Sequence, residues 1–525
     1  MLRRTLLLWL GLCLLCPLPA LAGDFLDTRI TFGISDDNVL LGPGQSNPSS
    51  PSTSFIPGQR NTLFFDNYNT RFSGFETLSH VVLYKKLPSF FKGLTTEAAL
   101  VVRMRYLAEA EDKIFQLSDS GSYIRLTYSY TDSKVLRRDV QFIAFPLSSD
   151  RFRMGYSFSL SWGGDGTFGR RNVTSPVPGF KLQWMHDFNK DARFFIFSGV
   201  KTAFLQKRVT EDLIEEEVAV GVLSGLGFRY SGFQLEVGGA FFDKGTFAQS
   251  EIRGEPVYFY GFTGQMSYSY GMPVGVSIDF QLYRNDPQLP QKFFRPEKYS
   301  PGQFSFAVSA ELSYVVNELQ NADQLNAIVP TPGLATDLNF RMKYGYFRLH
   351  ADIVFRDLGF ILNEVPGFVP FQSFSAKQIT TPEFFAAVGF DYYFKAPHLT
   401  LGLKGGIQIP ATFRGDLPAE TTGNIVPTSL QGEQLVVIRG EGDFILLPTV
   451  DPKTGQKVEA LPVFSAKLNM KWQLSEFMAV VGEFLLSIDQ NQTRLTRSTE
   501  DGTVAVREFI DPLKIGFNLV LQARF

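Results

Sequence analysis

The sequence predicts an all-β protein, a single transmembrane antiparallel up-and-down β-barrel of about 18 strands, within a range of about 16 to 20. Three observations predict this fold. Many segments alternate between apolar and polar residues, which is the period of a strand whose two faces meet different surroundings. No apolar stretch after residue 22 reaches the ~18 residues of a candidate membrane-spanning helix. The chain also holds 52 Phe and 19 Tyr, an aromatic content typical of a barrel whose outer face contacts lipid.

Residues 1–22 are predicted to be a cleaved signal peptide. Arg3 and Arg4 give a positive start, an apolar run follows at Leu6–Leu15, and Ala20-Leu21-Ala22 forms a small-residue cleavage signal. A membrane anchor is the alternative, but the apolar run is shorter than the ~20 residues that a spanning helix needs. The mature chain, residues 23–525, is then expected to form the barrel.

Composition excludes several functional classes. Cys13 and Cys16 are the only cysteines and both lie in the leader, so the mature chain is expected to hold no disulfide and no thiolate site. The 50 basic and 52 acidic residues argue against a nucleic-acid partner, which would favour a basic excess. A mean hydropathy of −0.01 is too polar for a helical membrane protein.

The alternating segments are longer than the strands of soluble proteins. They run for roughly 9 to 14 residues, whereas a soluble strand has ~5–6 and a tilted strand that crosses the hydrocarbon layer has ~9–11. A soluble β-sandwich also alternates, but with shorter strands. The clearest segments are Phe152–Trp162, Tyr258–Tyr270, Val274–Leu282, Phe304–Val316 and Phe464–Trp472.

The connections between segments also alternate in length, as they do in outer-membrane barrels with short turns on one side and long loops on the other. Short turns are predicted at 147–150 and 188–191, among others. Residues 121–147 form either one long strand or a hairpin around Thr131–Lys134, and a phase change near Gly345 predicts a turn or bulge. The up-down parity does not close between residues 285 and 333. Long loops are predicted at 35–72, 163–177, 285–302, 359–381, 411–459 and 491–509, with a small hairpin at Gln434–Leu447.

The last strand carries the most specific signal in the chain. Phe517, Leu519, Leu521, Ala523 and Phe525 share one face, and the sequence ends on that final aromatic residue. This segment resembles the closing strand of bacterial outer-membrane β-barrel proteins. The resemblance covers the leader, the strand architecture and the terminal segment. It implies a location in the outer membrane of a Gram-negative-type bacterium and recognition by the barrel-assembly machinery.

If the apolar faces contact lipid, the residues between them line the interior. Many of these residues are charged. Burying so many charged side chains is costly in a dry core but natural in a water-filled lumen, where fixed charges set ion preference. Basic residues exceed acidic ones, which predicts a mild anion preference; the alternative is that these are solvated wall charges, some paired across strands. The candidate pore-lining residues are Arg103, Arg105, Arg125, Arg153, Arg341, Lys343, Lys467, Lys471, Glu311 and Asp279. Further inward-facing candidates are Glu97, Lys181, Glu217, Arg229, Glu236, Gln281, Asp391, Lys404, Glu483 and Lys514.

These features predict a porin-like channel for the passive passage of small hydrophilic solutes. Two alternatives stay open: the exit barrel of a polysaccharide-export or secretion machine with periplasmic or envelope protein partners, and a closed structural barrel. No catalytic, cofactor or metal site is predicted, because the four histidines show no metal-ligand spacing and no G-x-S-x-G motif is present.

Overall fold

The computed structural model describes a set of ranges that excludes the predicted signal peptide and several connections. The described residues are 25–36, 38–40, 79–87, 89–108, 113–119, 122–133, 135–146, 152–154, 160–162, 178–208, 214–247, 250–271, 302–364, 373–376, 378–416, 433–440, 443–448, 455–497 and 505–524.

Strands make up most of the described chain. In chain order they are β1 (Phe25–Asp36), β2 (Ser79–Leu87), β3 (Leu94–Ala108), β4 (Lys113–Asp119), β5 (Tyr123–Ser129), β6 (Arg138–Phe145), β7 (Phe152–Met154), β8 (Leu160–Trp162), β9 (Gly179–Asp187), β10 (Ala192–Arg208), β11 (Ile214–Tyr230), β12 (Phe233–Thr246), β13 (Pro256–Tyr270), β14 (Phe304–Gln320), β15 (Ile328–Tyr344), β16 (Phe347–Arg356), β17 (Ile379–Thr381), β18 (Glu383–Phe394), β19 (Leu399–Ile409), β20 (Thr412–Asp416), β21 (Glu433–Gly440), β22 (Asp443–Leu447), β23 (Val463–Gln473), β24 (Met478–Ile488), β25 (Thr493–Arg497), β26 (Ala505–Phe509) and β27 (Leu513–Arg524). A 3-10 helix spans Ser250–Ile252, and one α-helix, α1, spans Leu358–Glu364.

The large antiparallel sheet closes on itself. It contains 19 strands. Except for β4 and β5, which both pair with β3, each strand pairs with the next strand of this sheet along the chain. β27 pairs with β24 and with β1, and β1 also pairs with β2. Because β4 and β5 pair with consecutive parts of β3, these two of the 19 strands share one position, and the ring has 18 positions. The predicted fold, an antiparallel up-and-down barrel of about 18 strands, is therefore confirmed.

Up-and-down order gives the barrel two distinct ends. One end, here called the turn end, holds the start of β1 and the end of β27, together with short connections such as 188–191, 231–232 and 345–346. The opposite loop end holds the connections 37–78, 146–178, 357–382, 410–462 and 489–512. The hairpin around Thr131–Lys134 is confirmed, because β5 and β6 pair directly. Gly345, at a φ of +58°, forms the predicted turn between β15 and β16.

One predicted wall segment does not belong to the wall, and a second lies outside the described residues. Phe152–Trp162 was expected to form one strand, but β7 and β8 pair only with each other, and β6 pairs directly with β9 across the connection. The expected short turn at 147–150 therefore lies inside a long loop-end connection. Val274–Leu282 and the 285–302 loop lie outside the described residues, in a connection that joins β13 directly to β14. This long connection lies at the turn end, contrary to the predicted division into short and long sides.

The two faces of the wall carry different residues. On β13 the side chains of Tyr260, Phe262 and Met266 point outward and are 42%, 47% and 53% exposed. Between them Thr263 and Gln265 point inward and are buried. Large exposed apolar side chains occupy the same outward phase on the other wall strands, so the alternation read from the sequence separates an apolar outside from an inner face.

The loop end carries additional small elements. β17, β20, β21 and β22 form a separate four-stranded sheet, and β21–β22 is the predicted hairpin within 411–459. The helix α1 packs on β15. Asp357 caps that helix, because its Oδ1 accepts the Phe360 N–H at 2.8 Å while its Oδ2 accepts the Leu334 N–H at 2.8 Å. Within the described residues, no helix is long and apolar enough to span a membrane.

Candidate functional site: the inner wall

The inner face of the barrel is rich in charge, with more basic than acidic residues among the side chains that the structure describes. The inward-facing acidic residues with placed side chains are Glu97, Asp139, Asp187, Glu236, Glu311, Asp337, Asp352, Glu383, Asp391 and Glu483. The inward-facing basic residues with placed side chains are Lys86, Arg125, Lys181, Arg193, Lys201, Arg229, Lys244, Arg341, Lys343, Arg348, Arg356, Lys404, Lys467, Lys471 and Lys514.

Many of these charges form ion pairs between adjacent strands. The Arg125 guanidinium lies 2.6 Å from the Glu97 carboxylate, which also accepts the Tyr84 hydroxyl at 2.5 Å. Elsewhere on the wall, Lys467 Nζ lies 2.7 Å from Glu483 Oε1. Since β3 and β5 are neighbours, as are β23 and β24, each pair bridges one strand boundary.

A larger network spans β15, β16, β18 and β19. Asn339 donates to the Asp352 carboxylate, which lies 3.6 Å from Lys404 Nζ, and Arg341 Nε donates to Asn339 Oδ1 at 3.0 Å. Arg348 Nε donates to Asp391 Oδ1 at 2.8 Å on the same strands, closer to the turn end. The network joins four wall strands through side chains as well as through the backbone.

Several of the inner charges are buried rather than freely solvated. Lys201 and Glu383 are each 0% exposed, and Lys404 and Lys467 are 6% and 7% exposed. Such burial is tolerated because carboxylates and cations are brought together, whereas a lone buried charge is costly. These buried side chains are therefore packed against the inner wall, in contact with partners on other wall strands.

Aromatic side chains share the inner face with the charges. The rings of Phe242 and Phe259 stack with centroids 5.2 Å apart, and Lys244 Nζ lies 5.1 Å from the Phe259 ring centroid. Lys181 Nζ lies 5.9 Å from the centre of the Phe197 ring. These distances suit cation–π contacts, so part of the basic charge is held against aromatic faces.

The structure places most of the predicted pore-lining residues on the inner face. Arg125, Arg341, Lys343, Lys467, Lys471 and Glu311 point inward. Arg103 and Arg105 lie in β3 with the phase of the inward residues Ala99 and Val101, although their side chains are outside the described set. Arg153 was placed wrongly, because it belongs to β7 in a loop-end connection. Asp279 lies outside the described residues.

Several inner-face residues were missed at the sequence level. Arg348, Asp352 and Arg356 occupy the even positions of β16, whose odd positions carry the outward apolar residues. The apolar phase of that strand, Leu349 to Phe355, could have assigned them to the interior. Lys201 was missed because the predicted inner-wall set contains no residue of β10. Phe195 and Phe197 share its inward phase.

The residues of the predicted assembly signal lie on the strand that closes the ring. Leu519 and Leu521 point outward and are 46% and 36% exposed, and Phe517 and Ala523 share their phase. Phe525 lies beyond the described residues. Among the described residues, no group of three or more His, Cys, Asp or Glu side chains is placed to hold a metal ion.

No protein-family model matches this chain, and no curated protein sequence matches it. Solved structures with a similar course of the chain include OccK9 (OpdG) of Pseudomonas aeruginosa, at 11% identity and a TM-score of 0.43, covering 96% of this chain and 98% of that one. The outer membrane protein OprD from Pseudomonas aeruginosa matches at 8% identity and a TM-score of 0.41, covering 96% and 93%. OmpT, an outer membrane protein of Vibrio cholerae, matches at 8% identity and a TM-score of 0.32, covering 97% of this chain and 99% of that one. What this barrel does is therefore inferred from its own wall.

Proposed function

We propose that this chain is an outer-membrane, porin-like channel for the passive passage of small hydrophilic solutes, without a catalytic step. One observation carries the proposal: a closed ring of strands separates an apolar outer face from a charged inner face. In hydrocarbon every backbone polar group needs a partner, and closure of the sheet supplies one. An outward belt of Phe, Tyr and Leu suits lipid, and inward charges suit a passage for polar solutes.

A mild preference for anions is part of the proposal. Basic residues exceed acidic ones on the inner wall, and pairs such as Lys467–Glu483 and Lys404–Asp352 compensate the acidic side chains. An excess of positive charge on the inner wall of a pore acts on a passing ion with less screening than in bulk water.

A closed structural barrel is the second candidate, and the burial of Lys201 and Glu383 favours it. If side chains fill the interior throughout, no solute passes. An export or secretion barrel, the remaining alternative, is expected to conduct weakly without its envelope partners.

Single-channel recording of the refolded protein in planar bilayers tests the proposal. An open channel is expected to give discrete current steps. In a salt gradient across the bilayer, the reversal potential is expected to have the sign of an anion-selective channel. Absence of any steps from protein that is folded and inserted would contradict the channel and favour the closed barrel. A cation-side potential would contradict the anion preference alone.

Assembly by the barrel-assembly machinery is also proposed, on the basis of the terminal strand. β27 pairs with β24 and with β1, so the strand that carries the signal is the one that seals the ring. Phe525→Ser is expected to lower the amount of folded barrel in the membrane while total synthesis is unchanged.

A further inference from the structure

An outward-facing cluster at the turn end combines aromatic rings with hydrogen-bond donors. It consists of Tyr130, Arg138, Trp184, His186 and Phe188, here called the rim patch. Tyr130 and Phe188 are 41% and 56% exposed. The rings of His186 and Phe188 meet edge to face with centroids 4.9 Å apart, and those of Trp184 and His186 lie 5.7 Å apart. The patch lies on the outer side of the wall, away from the charged interior.

Hydrogen bonds within the rim patch fix the tautomer of His186. Trp184 Nε1–H can only donate, and it donates to the Tyr130 hydroxyl oxygen at 3.0 Å. The hydroxyl proton is then directed to His186 Nδ1, 3.0 Å away, since the competing acceptor, the Met185 carbonyl oxygen, lies at 3.4 Å, beyond the usual O–H···O range. A neutral imidazole that accepts at Nδ1 carries its proton on Nε2. His186 therefore presents an Nε2–H donor.

Arg138 presents further donors beside this imidazole. It is the register partner of His186 across β6 and β9, so the two side chains leave the wall next to each other. Its Nε donates to the Asp187 carbonyl oxygen at 2.9 Å, which orients the guanidinium. Among the residues that the structure describes, neither the terminal guanidinium nitrogens nor His186 Nε2 have another partner.

The position of the patch defines the chemistry of its ligand. Other exposed aromatic residues at the same end, including Tyr128, Tyr230 and Tyr270, form the belt that marks a lipid headgroup level. One step further into the wall the outward residues are purely apolar, as at Phe142 and Leu182, which are 42% and 50% exposed. A cation with unused donors thus lies at the border between headgroups and acyl chains.

We propose that the rim patch binds the phosphate of a phospholipid headgroup in the leaflet at the turn end. The fork of Arg138 and the Nε2–H of His186 donate to the phosphate oxygens, and the acyl chains lie along Phe142 and Leu182. Arginine suits this role because its planar donors match phosphate oxygens and its charge complements the phosphodiester. Tyr130 is a positioning residue that holds the imidazole tautomer. The site is independent of the channel, because it faces away from the lumen.

Native mass spectrometry of the refolded full barrel with dioleoylphosphatidylglycerol tests the site. Arg138→Gln and His186→Ala are each expected to weaken lipid retention roughly tenfold, the loss of one charged hydrogen bond. Arg253→Gln, which removes an exposed arginine at the loop end, is the matched control and is expected to leave retention unchanged. Equal retention by Arg138→Gln and the wild type, or equal loss in the control, would overturn the proposal.

Two further arms identify the ligand chemistry. Dioleoylglycerol, which has the same acyl chains and no phosphate, is expected not to be retained, and added inorganic phosphate is expected not to displace the phospholipid. Retention of the diacylglycerol would show that the site binds acyl chains alone. Displacement by inorganic phosphate would show that it binds soluble anions. Either result overturns the assignment. If Arg138→Gln does not fold, Arg138→Lys, which keeps the charge and loses the fork, is expected to bind with intermediate strength.

The role of Tyr130 has its own spectroscopic signature. In protein with 15N-labelled histidine, Tyr130→Phe is expected to convert the His186 signal from the Nε2–H form to a tautomer mixture and to weaken lipid retention. Tyr393→Phe is the control, because Tyr393 bonds His398 Nδ1 at 2.9 Å in a different turn-end pair. An unchanged His186 signal in Tyr130→Phe would remove Tyr130 from the site.

Discussion

Inside the barrel, the Arg356 guanidinium donates to both oxygens of the Glu383 carboxylate, with Nη2 3.2 Å from each. The two residues are register partners on β16 and β18, and their side chains are 7% and 0% exposed. Gln408 on β19 donates to the same carboxylate at 3.1 Å. The cluster joins three wall strands near the loop end, where the surrounding connections are longest.

Breaking this pair from one side is expected to destabilise the barrel strongly. Arg356→Met removes the bidentate guanidinium from a buried carboxylate, which costs about 3–5 kcal/mol of the free energy of unfolding. The double variant Arg356→Met/Glu383→Leu is expected to recover most of that loss, because both charges are then absent. Urea unfolding of the protein in lipid vesicles measures the difference. As a control, Lys92→Met breaks the exposed pair with Asp132 and is expected to change stability little. A double variant as unstable as the single one would refute the pairing argument.

Ion preference is expected to respond oppositely to the two partners of the Lys467–Glu483 pair. Glu483→Gln removes one negative charge beside this lysine on the inner wall and is expected to raise anion selectivity. Lys467→Gln is expected to shift it toward cations. Reversal potentials in a salt gradient measure both shifts. Two variants that shift in the same direction, or not at all in an open channel, would exclude this pair from the passage.

The stability of α1 is expected to depend on pH through its cap. Burial raises the pKa of the Asp357 carboxyl, although backbone N–H donors from Phe360 and Leu334 oppose the shift. Because the folded pKa lies above the unfolded one, this contribution to stability is complete below the unfolded pKa and is lost as pH rises through the folded pKa. The protection factors of the Phe360 and Ile361 amides, which correct for the intrinsic rise of exchange with pH, are therefore expected to fall across that interval. In Asp357→Asn the pH dependence is expected to vanish; if it persists, another group causes it.

Charge on the outer face is expected to be costly in proportion to its depth in the membrane. Phe262→Arg, in the middle of β13, is expected to destabilise the inserted barrel by about 2–4 kcal/mol. Tyr270→Arg, on the same face at the turn end, is expected to cost at most about 1 kcal/mol, because the arginine reaches the headgroups. Folding titrations in vesicles compare the two. Equal costs at both depths would mean that this face does not cross a bilayer.

The two-residue periodicity predicted the strands and their inner and outer faces well, because the alternation of apolar and polar residues is a local property of the sequence. On β13, for example, alternation predicted the outward face of Tyr260, Phe262, Met266, Tyr268 and Tyr270, and all five are exposed. Which strands pair with each other is not a local property, and the periodicity of the sequence did not predict it. Phe152–Trp162 alternates as clearly as β13, yet its ends pair with each other because β6 and β9 already satisfy one another's backbone groups.

The inner wall was predicted in part for the same reason. Inward phase identified Arg125 and Lys467, but which carboxylate each would contact depends on register between strands. The degree of packing also escaped the sequence analysis. Phe195, Phe197 and Phe385 occupy inward positions where alternation would place polar residues, and they reduce the space that the charges enclose.

The most direct test of the account is the accessibility of spin labels along β13 in lipid vesicles. The predicted mature chain has no cysteine, so single cysteines can be introduced at 260, 262, 263, 265, 266 and 268 and labelled. Labels at positions 260, 262, 266 and 268 are expected to collide readily with oxygen dissolved in the hydrocarbon, and labels at 263 and 265 are expected not to. A smooth profile without this two-residue period, or a protein that remains a compact monomer in water without detergent, would contradict a barrel with a lipid-facing outside and a charged interior.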